Sequence, residues 1–108
     1  MERRRYGHVS FFAKLTISSA RGQTTCGGSC VNISRGGIGV FSERFFPPGE
    51  RVQLVMDLRS GGKMVQVKLN ARVVWAKAEA DGTMLGAEFE SPVTPASQPV
   101  LCEHLDKC

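Results

Sequence analysis

Val65-Gln66-Val67-Lys68-Leu69-Asn70-Ala71-Arg72-Val73 is the stretch that decides the fold. Its odd-numbered residues are apolar and its even-numbered residues polar. Side chains in an extended chain point alternately to opposite faces, so this period of two is that of a strand with one face buried. The run extends to Trp75 and predicts one long strand.

The same alternation recurs on both sides of it. Upstream, Val52, Leu54, Met56 and Leu58 alternate with Gln53, Val55 and Asp57. Downstream, Leu85, Ala87 and Phe89 alternate with Gly86, Glu88 and Glu90. Near the start, Phe11, Ala13, Leu15 and Ile17 face one way while Phe12, Lys14, Thr16 and Ser18 face the other. Shorter strands are expected over residues 30–33 and 38–41. Arg21-Gly22, Ser60-Gly61-Gly62 and Asp81-Gly82 read as hairpin turns, and Pro47-Pro48-Gly49 ends a loop before Val52. Six short strands with regular turn signals predict an all-β antiparallel barrel or sandwich. Trp75 and Phe89 are expected in its core, and Gly86 is expected to mark a bulge or a tight contact. After Phe89 the pattern changes. Residues 91–99 form a proline-containing connection, and residues 100–107 predict a short helix over a barrel mouth, with His104 on the surface.

A chain of 108 residues fits one domain. Hydrophobic residues at 42% and charged residues at 22% are globular proportions, which argues against disorder. The net charge is +4, but Arg3, Arg4 and Arg5 concentrate three positive charges at one point. Local charge speaks for an anion site rather than a coat for nucleic acid. A single-strand-binding barrel would also interleave aromatic and basic residues, and only Tyr6 and Phe12 offer that here. No apolar run is long enough to cross a membrane as a helix, and no apolar segment follows Met1–Tyr6, so neither membrane insertion nor a signal peptide is expected. A cytoplasmic location follows, with Cys26, Cys30, Cys102 and Cys108 reduced. The three-residue spacer of Cys26-Gly-Gly-Ser-Cys30 is not the redox spacing, and nothing in the sequence joins it to the other two thiols as a zinc site, so no metal is expected. Two histidines, one near each end, with no nucleophile elbow and no Walker loop, point away from an enzyme.

Two segments carry chemistry. One is the basic arm Arg3-Arg4-Arg5-Tyr6-Gly7-His8. The other is Asn32-Ile33-Ser34-Arg35-Gly36-Gly37-Ile38-Gly39, polar and glycine-rich between two strand-like segments. Arginine offers a planar fork of donors that matches phosphate oxygens and the guanine O6/N7 edge. Asn32 suits a base edge and Ser34 a phosphate or base. Gly36 and Gly37 admit positive φ and close backbone approach.

Together these segments resemble the PilZ family, whose signatures are an Arg-x-x-x-Arg arm and an Asp/Asn-x-Ser-x-x-Gly turn. Asn32-x-Ser34-x-x-Gly37 is complete, whereas Arg4-x-x-x-His8 departs from the pattern at the second arginine. The resemblance continues through Gly37-Ile38-Gly39-Val40, Phe46-Pro47-Pro48-Gly49-Glu50-Arg51-Val52, Ala71-Arg72-Val73-Val74-Trp75 and Leu85-Gly86-Ala87-Glu88-Phe89, covering residues 2–90. It implies a six-stranded antiparallel PilZ-type β-barrel with a short C-terminal helix over residues 10–108, preceded by a basic arm over residues 1–9. It further implies a non-enzymatic receptor for the bacterial second messenger cyclic di-GMP, acting on a downstream protein. The ligand contacts it implies are Arg4, Arg5, His8, Asn32, Ser34, Arg35, Gly36 and Gly37. His8 supports a second reading, in which the barrel has lost its ligand and serves as a protein–protein adapter in pilus assembly or motility.

Overall fold

The computed structural model describes residues 9–22 and 24–105. Six strands and one helix follow in order: β1 (Val9–Ser19), β2 (Thr25–Ile33), β3 (Gly37–Ser42), β4 (Arg51–Ser60), β5 (Lys63–Glu79), β6 (Gly82–Phe89) and α1 (Pro99–His104). The strands form a closed antiparallel barrel in the order β1-β2-β3-β6-β5-β4, with β4 paired back onto β1. The sandwich alternative is thereby excluded. Closure gives each strand a partner on either side, which removes the exposed sheet edges an open β-structure must protect.

β5 makes the closure possible. Its 17 residues serve two partners in turn, β4 through Lys63–Arg72 and β6 through Ala71–Glu79. The alternation that predicts β4 and β5 is realised as burial. Val52, Leu54, Met56 and Leu58 point into the barrel, as do Val67, Leu69, Ala71 and Val73. They meet Leu15 and Ile17 of β1, Ile38 and Val40 of β3, and Leu85, Ala87 and Phe89 of β6 in one core. Each buried valine, leucine, isoleucine, methionine or phenylalanine side chain contributes roughly 1.5–3 kcal/mol through removal from water. The core carries the fold.

Strand lengths differ from the sequence expectation at β2, which begins at Thr25 rather than at residue 30. Gly27 and Gly28 have no side chains to display an alternation, yet both pair with β1. The helix spans Pro99–His104, with Leu101, Cys102 and Leu105 buried against the barrel. Gly61 and Gly62 take positive φ (58° and 83°) at the β4–β5 hairpin, the backbone that a two-residue turn of that hand requires.

Two core expectations separate. Phe89 is buried, but Trp75 is 48% exposed. The pairing of β5 with β6 shifts between Val73 and Trp75, so one extra residue intervenes. Val73 faces inward, Ala76 packs on the core, and Trp75 is turned outward. Cys26 and Cys30 are free thiols. Cys102 is disulfide-bonded, contrary to the expectation of four reduced thiols.

Candidate ligand-binding face

The Asn32–Gly37 motif ends β2 and opens β3. Its turn is held from inside by Ser34, which is 5% exposed. The Ser34 hydroxyl accepts from the amides of Gly36 (3.3 Å) and Gly37 (3.2 Å) and donates to the Gly37 carbonyl (3.4 Å). The Ser34 amide also donates to that carbonyl at 2.8 Å. From outside, the Phe89 amide donates to the Gly36 carbonyl (2.9 Å) and the Val93 amide to the Arg35 carbonyl (2.8 Å). Ser34 therefore acts within the turn. Asn32 lies on the outer surface, so the two motif side chains do not face one space.

Gly36 and Gly37 are not among the glycines with positive φ. Gly37 is required for another reason. A Cβ there would stand 2.6 Å from the Ala87 carbonyl oxygen, because β3 and β6 run close together at this point.

Asn32 reaches the outside through a second irregularity. Cys30 and Ile33 are both fully buried although three residues apart. Simple alternation would put Asn32 inside with Cys30. The pairing of β2 with β3 shifts between Cys30 and Asn32, so Val31 and Asn32 both turn outward.

The two bulges converge on one row. Asn32 pairs with Gly39, Gly39 with Gly86, and Gly86 with Trp75. Ser10 of β1 pairs with Asn32 and extends the row. A Cβ on Gly39 would meet Asn32 Oδ1 at 2.9 Å, and a Cβ on Gly86 would collide with the indole of Trp75. Two adjacent glycines thus form a low floor, with an amide over one and an indole over the other. Three strand spacings separate Asn32 from Trp75, roughly 14 Å along the sheet.

One row away, Gly37 pairs with Glu88 and Glu88 with Arg72. Arg72 Nη2 contacts Glu88 Oε1 at 2.7 Å, and Arg51 Nε lies 3.5 Å from Glu90 Oε2. These four side chains, with Phe89 and Ser91, border an open cavity of about 550 Å³ beside the motif turn. Among the described residues no group of three or more histidine, cysteine or acidic side chains is placed to hold a metal.

Of the residues expected to bind ligand, the structure brings Asn32, Ser34, Arg35, Gly36 and Gly37 to one end of β2 and β3. Arg4, Arg5 and His8 lie outside the described residues. Sequence reasoning missed Trp75 as an outward residue. The signal was present in Gly86, expected to mark a tight contact, which is the residue that Trp75 covers.

The sequence matches the model of the PilZ domain over residues 2–106. No curated protein matches it significantly. Among solved structures, the Bacillus subtilis inhibitor of motility MotI/DgrA is similar with a TM-score of 0.74 at 20% identity, over 99% of this chain and 54% of that one. The PilZ domain of Escherichia coli YcgR with c-di-GMP is similar with a TM-score of 0.66 at 19% identity, over 99% of this chain and all of that one. A second structure, of Escherichia coli YcgR in complex with c-di-GMP, gives a TM-score of 0.70 at 19% identity, over 98% of this chain and 47% of that one. At these identities the likeness is one of fold. The chain spans about half the length of the MotI/DgrA chain and of the YcgR chain in this second complex.

Proposed function

We propose that this chain, which belongs to the PilZ domain family, is a cyclic di-GMP receptor module that passes the messenger's signal to a partner protein. The observation that carries the reading is the outer row Asn32–Gly39–Gly86–Trp75. A cyclic dinucleotide presents flat purines and two phosphates. The half-exposed indole of Trp75 offers a stacking face, and base–aromatic stacking is worth roughly 1–3 kcal/mol per base. Gly39 and Gly86 give the Asn32 amide and the Trp75 indole room to lie across the row. Asn32 supplies an amide for a base edge. In this reading Arg4 and Arg5, on the basic arm ahead of β1, supply the forked donors for phosphate and guanine. Arg35, Gly36 and Gly37 border the phosphates. Ser34 serves the site by shaping the turn. The structures of the YcgR PilZ domain with c-di-GMP and of YcgR in complex with c-di-GMP support the choice of ligand by analogy of fold. The function is binding and signalling in the cytoplasm, with no metal and no catalysis of its own.

Calorimetric titration of the purified protein with cyclic di-GMP, against GTP and single-stranded RNA, tests the reading. Binding of cyclic di-GMP alone is expected. An Arg4→Ala, Arg5→Ala double variant should lose most of that affinity, and His8→Arg, which restores the family's second arginine, should tighten it. No heat with cyclic di-GMP from either the wild type or His8→Arg would overturn the receptor reading in favour of the ligand-free adapter that His8 suggests.

A further inference from the structure

Glu88 is out of place beside a site for phosphates. It is the direct partner of Gly37, the last residue of the motif turn, and its side chain is exposed on the outer face. A bare carboxylate one strand from that turn would repel any phosphate brought to it. The structure answers this charge with Arg72. Register places Arg72 opposite Glu88 on β5, and its guanidinium meets the carboxylate at 2.7 Å. Arg51 stands opposite Arg72 on β4 but turns to Glu90 at 3.5 Å, so Glu88 is left to Arg72.

The geometry assigns Arg72 a role in the ligand site that its own position does not announce: it is a positioning residue that neutralises Glu88, draws its carboxylate away from the Gly37 turn and so lets the turn accept an anionic ligand. The inference rests on the receptor reading above. As an exposed pair, Arg72–Glu88 contributes little to fold stability, so its purpose is not explained by the fold. Both side chains are more than half exposed, and at several ångströms under water-like screening an uncompensated unit charge shifts anion affinity by about threefold to tenfold.

The test is calorimetry with cyclic di-GMP on wild type, Arg72→Gln, Glu88→Gln and the double variant at low salt, each first checked for an intact thermal transition. Arg72→Gln should bind about threefold to tenfold more weakly. Glu88→Gln should bind as wild type or slightly tighter, and the double variant should return to within about twofold of wild type. The loss in Arg72→Gln should shrink near 1 M salt, where the screening length falls to about 3 Å. A double variant as weak as Arg72→Gln would overturn the inference, because Arg72 would then contact the ligand itself. Equal affinity of wild type and Arg72→Gln would also overturn it while leaving the receptor reading intact. Absence of binding by wild type would instead sink the receptor reading, and this inference with it.

Discussion

The indole of Trp75 lies over Gly86, its partner across the β5–β6 ladder, and occupies the space a Cβ would need. The glycine is there because the tryptophan folds across it. Trp75 faces outward only because a bulge precedes it, so the contact covers backbone at the surface instead of filling the core. Trp75 is the sole tryptophan, which makes the relationship directly observable.

Gly86→Ala should push the indole off the sheet. Loss of that cross-strand contact should cost about 1 kcal/mol. Fluorescence emission should shift to the red as the ring enters water, and denaturant unfolding followed by circular dichroism should give the stability change. Unchanged emission would show that the ring does not rest on Gly86.

Gly37→Val should be among the most damaging single changes outside the core. The new side chain would meet the Ala87 carbonyl oxygen, which belongs to a paired strand and cannot move alone. Overpacking of this kind costs about 1–3 kcal/mol. Because φ at Gly37 is not positive, Gly37→Asn should fare no better than Gly37→Ala in chemical denaturation, whereas a position needing left-handed backbone would favour asparagine.

Ser34→Ala and Asn32→Ala should part company. Removing the buried Ser34 hydroxyl leaves two part-buried turn amides without their acceptor, a loss of about 1 kcal/mol visible in the melting temperature. Asn32→Ala, on the outer face, should leave the melting temperature nearly unchanged and weaken cyclic di-GMP binding measured by calorimetry. The reverse pattern would exchange their roles.

The free thiols of Cys26 and Cys30 should differ sharply in reactivity. Cys30 is fully buried, and that burial pushes its thiol from 9.0 up to about 12. Iodoacetamide at about pH 8 should modify the half-buried Cys26 well before Cys30, as read by peptide mass spectrometry. The same shift bears on stability. A thiol whose value is raised in the folded state favours folding fully below its unfolded value of 9.0 and loses that contribution as pH climbs toward 12. The melting temperature of wild type should therefore fall above about pH 9 more steeply than that of Cys30→Ala.

Much of the barrel is legible in the chain. Alternation in Val52–Leu58 and Val65–Val73 specifies which side chains enter the core, because a period of two cannot be satisfied by a helix. β2 was only half legible, since Gly27 and Gly28 carry no side chain to alternate and become a strand only through pairing with β1. The motif Asn32-x-Ser34-x-x-Gly37 names the family but not the division of labour within it. Ser34 and Asn32 look equivalent as polar residues in a turn, and only the structure, with Ser34 buried and bonded to the turn amides and Asn32 half-buried across Gly39, separates a residue that builds the turn from one that faces outward.

The sequence by itself determined the strands, their apolar faces and the family, since those follow from local alternation and from residue types at fixed spacing. Tertiary structure alone decided the two bulges, at Val31 and Val74, that turn Asn32 and Trp75 to the outside. A strict alternation would have buried both, and nothing local marks where one extra residue enters a strand. That position is set by register against strands distant in the chain, Asn32 against Gly39 and Trp75 against Gly86, where the glycines leave room for the side chains that cross them.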